Sequence, residues 1–138
     1  MAITYSAIED AIRTRFNTEI TIAKNVTTIY DNQESEPPTT GRWIRFTITP
    51  GETVQVELGK KKRFRLFGIA TAQIFDEIGK GTKDINLLVN AINTSGVFRS
   101  VRVSGITYRT PSIVRVGRVS NWYQVNCLIP FFSDDIEA

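Results

Sequence analysis

Residues 42–49 limit the fold most tightly, because their apolar side chains recur with a period of two. Ile44, Phe46 and Ile48 fall on one side, while Trp43, Arg45 and Thr47 fall on the other. Successive side chains of a strand point to opposite faces, so the pattern describes a strand packed on a core from one side. Pro50-Gly51 predicts the end of that strand, with a second short strand over Thr53 to Leu58 and a polar turn at Gly59-Lys60-Lys61-Lys62. Phe64 to Phe75 carries apolar residues on both faces, as a central strand does, and Gly68 within it marks a bulge or a close backbone approach. Val26 to Tyr30 is rich in β-branched residues and suits another short strand. Three more are predicted at Val97 to Arg109, Ile113 to Val119 and Trp122 to Phe132. In the last, Tyr123, Val125, Cys127 and Ile129 share one face.

Two segments follow helical spacing instead. Ser6 with Glu9 fits a capping box, and Ile8, Ala11, Ile12, Arg15 and Phe16 then form a stripe that is expected to stop at Asn17-Thr18. After the turn Gly79-Lys80-Gly81, Thr82 can cap a second helix with Ile85, Leu88, Val89 and Ile92 on one face and Ser95-Gly96 at its end. Strands joined by short connections favour antiparallel pairing. The expected architecture is α+β: a two-layer domain whose mainly antiparallel or mixed sheet carries both amphipathic helices on one face. Between the first two strands, Asp31 to Gly41 forms a long loop with Glu34, Glu36, Pro37 and Pro38. Consecutive prolines withhold amide donors, so this stretch is extended, and a loop of such length suits an interaction arm.

At 138 residues the whole chain, 1–138, reads as one domain with enough apolar surface for a core of its own. No apolar run reaches the roughly 20 residues that cross a bilayer, and the first residues lack the pattern of a secretory signal. The expectation is a soluble protein made in the cytoplasm, where the single Cys127 has no bridging partner. The net charge of +3 matters less than its distribution. The first 59 residues lean acidic, Lys60, Lys61, Lys62, Arg63 and Arg65 reverse the sign, and no acid occurs from Ile85 to Ser133. Separated regions of opposite sign can meet across copies of one chain.

Chemistry is scarce by comparison. The chain holds no histidine, which removes the commonest general base, the partner of most Ser and Cys nucleophiles, and the usual zinc ligand. Glu9-Asp10, Asp76-Glu77 and Asp134-Asp135 are sequence neighbours without calcium-loop spacing, and read as solvated surface. Gly79-Lys80-Gly81-Thr82 departs from a phosphate loop at two required positions, which hold Ile74 and Gly81. Cys127 alternates with Val125 and Ile129 and reads as a small buried hydrophobe. No catalytic, metal or cofactor site is therefore expected. The basic run 60–65 has two readings: contact with phosphates or an acidic partner, or a solvated hairpin tip that discourages edge pairing. The arginines at 99, 102, 109, 115 and 118 extend that patch if they share a face. Trp43, Trp122 and Tyr123 suit either interface anchors or core packing.

The order of these features resembles one family. A helix, a strand and an acidic proline loop lead to Trp43-Ile44-Arg45 and a Leu58-Gly59 turn. Arg63-Phe64-Arg65-Leu66-Phe67-Gly68 and Gln73-Ile74-Phe75 come next, followed by a glycine turn and helix. The chain closes on Asn121-Trp122-Tyr123-Gln124-Val125-Asn126 with Pro130-Phe131 beyond. From about Ser6 to Phe132 this is similar to the phage tail terminator-like family of long-tailed bacteriophages. The resemblance implies a non-enzymatic structural protein at the head-proximal end of the virion tail. Its partners would be five more copies in a hexameric ring, the major tail tube protein, the head-completion or connector protein, and DNA passing through the channel without sequence-specific binding. It makes Lys60, Lys61, Lys62, Arg63 and Arg65 candidates for subunit, tube or channel contacts, and Glu34, Glu36, Pro37 and Pro38 a candidate inter-subunit loop. A head–tail connector or other tail completion subunit is the neighbouring alternative, and a basic nucleic-acid-binding module a more distant one.

Overall fold

In the computed structural model the first helix starts earlier and its apolar stripe runs further than the residue pattern predicts. The structure describes residues 4–30, 36, 38, 41–55, 64–79, 81–94, 97–103 and 105–134. Helix α1 spans Tyr5–Phe16, and its cap is Thr4, whose hydroxyl accepts from the amide of Ala7 at 3.2 Å, rather than Ser6. Glu9 is thereby free of capping and accepts from Tyr5 and pairs with Arg13 one turn on. The expected stop at Asn17-Thr18 does not occur. A π-helical turn, Asn17–Ile22, carries the chain on and puts Ile20 in line with Ile8, Ile12 and Phe16, all four fully buried. Burial of Ile20 outweighs the poor helix propensity of its β-branched neighbours Thr18, Thr21 and Ile22.

The sheet has seven strands: β1 (Thr27–Tyr30), β2 (Trp43–Gln55), β3 (Phe64–Glu77), β4 (Val101–Val103), β5 (Ile106–Tyr108), β6 (Ser112–Val119) and β7 (Trp122–Asp134). Their order is β1-β2-β3-β7-β5-β4, with β6 also on β7. Only β1–β2 is parallel; every other pair is antiparallel. A parallel return needs a connection of about a dozen residues or more, which residues 31–42 supply, so the length of that loop follows from the topology. Of this loop only Glu36, Pro38, Gly41 and Arg42 are described; Glu34 and Pro37 lie outside the described residues.

Pro50-Gly51 does not end its strand. β2 runs through it with a register shift between Pro50 and Thr53. Among the described residues β1 covers β2 only from Trp43 to Phe46, so the far half of β2 is an edge, the kind of position where a sheet tolerates proline. The predicted strand at Val97 to Arg109 is likewise corrected. It folds back at Gly105 into the β4–β5 hairpin, with Val103 opposite Ile106. The Ser104-Gly105 dipeptide carried that signal.

Helix α2 (Lys83–Ile92) has Thr82 at its cap position, though the hydroxyl makes no cap bond; the backbone oxygen of Thr82 accepts from Asn86. Ile85, Leu88, Val89 and Ile92 are buried in the same cluster as the α1 stripe, and both helices lie on one face of the sheet. That inner face presents Ile44, Phe46 and Ile48 from β2, Ala70, Ala72 and Ile74 from β3, and Val125, Cys127 and Ile129 from β7. Small alanines at the centre let the helices approach the sheet while Phe16 stacks on Phe46 at 4.2 Å.

Cys127 is fully buried in this layer, and loss of hydration pushes its thiol up to about 12. It is therefore protonated throughout the neutral range. A thiol-reactive dye is expected to leave the native protein unmodified near neutral pH and to label it after denaturation. Rapid labelling of the native state would contradict this packing.

Candidate functional site

The opposite, outer face of the sheet has no helix over it among the described residues. Its centre is mostly polar, with Thr47 and Thr49 from β2, Thr71 and Gln73 from β3, and Gln124 and Asn126 from β7, interrupted by Ile69 and Leu128. Aromatic groups collect at the two ends.

At one end Trp43 stacks on Phe75 at 4.2 Å, Trp122 meets Trp43 edge-on at 6.0 Å, and Ile29 completes a small separate cluster. The Arg45 guanidinium lies over Trp43 at 5.4 Å. Of the two readings for the tryptophans, packing describes Trp43, which is almost wholly buried. Its indole nitrogen nevertheless has no hydrogen-bond partner among the described residues. Tyr123 packs against the main core instead.

At the other end Phe67 and Phe132 sit 6.1 Å apart on adjacent strands. Arg65 lies over the Phe132 ring at 4.5 Å and Arg109 at 5.0 Å. Arg102 joins them on one side of a cleft it shares with Arg109 and Phe132, because the register Phe132–Thr107–Arg102 keeps all three residues on the outer face. Two of the predicted cations thus lie over one aromatic ring at the end of β7, and a third lines the cleft beside it.

Arg65 is the one member of the basic run that is described; Lys60, Lys61, Lys62 and Arg63 lie outside the described residues. It is committed within the chain. Its Nε donates to one carboxylate oxygen of Asp134 at 2.6 Å and an Nη to the other at 3.1 Å, a forked pairing. The Asp134 carboxylate offsets much of the charge Arg65 offers outward, which leaves Arg102 and Arg109 as the stronger cations of the corner. Arg115 and Arg118 do not join it. They lie on β6 opposite Val125 and Tyr123, toward the helix side.

Asp76 is almost completely buried, one oxygen accepts from the Glu77 amide at 2.8 Å, and the other has no partner among the described residues. Tyr108 is held in its phenol form by burial, which pushes it up to about 12. Among the described residues no three Cys, Asp or Glu side chains gather at metal-binding distance, and no helix is long and apolar enough to cross a membrane.

What the molecule offers is surface: a bare sheet face with a basic aromatic corner, and an edge strand, β6, none of whose residues is buried. The residue pattern gives the corner only conditionally, and gives β6 as a strand over Ile113 to Val119 but not as an exposed surface. Its signal was the run Ile113-Val114-Arg115-Val116, β-branched on both faces yet charged, which is too apolar for open water and too polar for a sheet interior.

Comparison with known proteins bears on these surfaces. The family model for phage tail terminator proteins matches residues 7–131. One solved structure superposes with a TM-score of 0.62 at 15% identity, covering 94% of this chain and 97% of the other, a likeness of fold alone. No curated protein matches the chain.

Proposed function

The chain belongs to the phage tail terminator protein family, and from that membership we propose that it ends tail-tube growth by closing as a ring of identical subunits on the head-proximal end of the tube. The ring then presents its other face to the head-completion proteins, and its channel passes DNA. The observation that carries this reading is the family match across residues 7–131. The surfaces described above support it. A subunit that works by contact with copies and tube needs exposed, structurally rigid faces, and the uncovered sheet face and β6 are of that kind.

In this reading the basic corner of Arg65, Arg102 and Arg109 faces the channel or an acidic partner, and the run Lys60 to Arg63 extends it. The loop bearing Glu34, Glu36, Pro37 and Pro38 contacts a neighbouring copy. Structural work of this sort requires no catalysis, and the function proposed is non-enzymatic.

The test is tube assembly itself. Purified protein added to polymerising tail tube subunits is expected to arrest elongation, giving short tubes with extra density at one end in negative stain. Tubes that grow equally long with and without it, with bare ends, would overturn the reading. Capped tubes that then accept no heads would confine its role to the terminating step.

A further inference from the structure

Strand β6 differs from the other long strands of this sheet. β3 and β7 bury about every second residue, whereas Ser112–Val119 buries none. Ile113, Val114, Val116 and Val119 are each between 41 and 47% exposed. They occupy both faces: Ile113 pairs with Cys127 toward the helix side, and Val114 and Val119 pair with Asn126 and Trp122 toward the outer side. Val116 is the extra residue of a bulge between Arg115 and Gly117. β7 is the one strand that pairs with β6 among the described residues, so its far edge has amides and carbonyls to offer. Arg115 and Arg118 form no ion pair among the described residues, and no acidic residue lies anywhere from Ile85 to Ser133 to balance them.

A complementary surface exists on the same chain. Between α1 with its π-helical turn and the β4–β5 hairpin lies a cleft of about 370 Å³. Ala11, Val103 and Tyr108 give it an apolar lining, and Asp10 and Glu19 stand on it without an ion pair among the described residues. Arg15, which also lines it, is turned inward: it donates to the Val97 carbonyl at 2.6 Å and lies over Phe98.

Because of the bulge, Arg115 and Arg118 stand opposite Val125 and Tyr123, two residues or about 7 Å apart on β7, and on the same side of the strand. Asp10 and Glu19 are about 13 Å apart along the helix axis. The two long arginine side chains have to splay apart to meet both carboxylates.

We propose that β6 of one copy docks on the α1 cleft of the next, setting Arg115 and Arg118 against Asp10 and Glu19 and the valine and isoleucine side chains against Ala11, Val103 and Tyr108. The occupant is a second copy of this chain, because the opposite charges sit on two different surfaces of one molecule. Such a contact is head-to-tail, and repeated it closes a ring or runs on as a filament. The inference rests on the ring reading above and supplies its subunit interface.

Charge reversal tests it, with mass in solution read by light scattering and tube ends read by negative stain. R115E/R118E alone and D10R/E19R alone are each expected to weaken association about tenfold or more. Mixed in equal amounts they are expected to associate again. In alternating order each native β6 meets a native cleft, and each reversed β6 meets a reversed cleft. All four positions are at least partly open to solvent, and unchanged circular dichroism checks that the fold survives. Association of either variant at wild-type strength, or a mixture no better than its components, overturns the docking. If wild-type rings still cap tubes in that case, the terminator reading stands without it. A wild type that neither self-associates nor caps tubes sinks both.

Discussion

Phe46→Ala is expected to lower stability by about 3–5 kcal/mol, the usual cost of emptying a large aromatic site in a core. The position leaves little room for relaxation. Phe46 is 1% exposed and lies in register between Tyr30 of β1 and Ala72 of β3. Its ring stacks on Phe16 at 4.2 Å and 26°, and Tyr30 meets it edge-on at 6.0 Å. Helix α1, β1 and β2 are joined through that one ring. Its neighbour on β3 is Ala72, too small to fill the void, and Phe16 is held on its other side by Phe98 at 5.9 Å. Urea unfolding followed by circular dichroism gives the measurement, with Ile113→Ala as the comparison, expected to change stability by less than about 0.5 kcal/mol because that side chain is half exposed. A loss below about 1 kcal/mol for Phe46→Ala would mean that α1 does not dock on β2 as described.

The contrast between those two positions also shows why the residue pattern conveyed the layers better than the surfaces. Ile44, Phe46 and Ile48, and Tyr123 to Ile129, alternate because one side of their strands faces the helices, and a period of two expresses that directly. The helix stripes were equally legible. What failed was punctuation. Asn17-Thr18 looked like a helix end and Pro50-Gly51 like a strand end, but burial of Ile20 and the missing neighbour beside the far half of β2 overrode both local signals. Between β4 and β5 the opposite holds: Gly105 turns the chain where the β-branched pattern alone predicts a continuous strand. The basic corner is legible only conditionally, for a different reason. Arg65 and Arg109 meet over Phe132, with Arg102 beside them, only because β7 lies between β3 and β5, an order that pairwise spacing along the chain does not encode. Similarly, β6 looks like any β-branched strand until the structure shows that none of its residues is buried.

The geometry of that corner depends on a glycine, and this gives the second large effect. Gly68→Val is expected to destabilise the protein by about 1–3 kcal/mol through overpacking. A Cβ at position 68 would lie 2.6 Å from the ring tip of Phe131, directly opposite on β7, and 3.0 Å from the Thr49 carbonyl oxygen on the other side. The backbone is equally close at the facing bulge, where a Cβ on Gly51 would meet the Phe67 carbonyl oxygen at 2.8 Å. Neither strand can retreat, so Phe131, itself 2% exposed, must give. Its displacement moves the segment of β7 that positions Phe132 and Asp134, and with them the ring under Arg65 and Arg109 and the carboxylate that forks Arg65. A double-mutant cycle isolates the cause. Phe131→Ala alone costs about 3–5 kcal/mol by cavity formation. Combined with Gly68→Val, which puts methyl groups where the ring tip was, it is expected to cost at least about 1 kcal/mol less than the two losses added. Strict additivity would show that the glycine is required for some reason other than the ring above it. A compensating pair would tie the close approach of β3 and β7 to the one aromatic ring, and make the position of the basic corner a consequence of that contact.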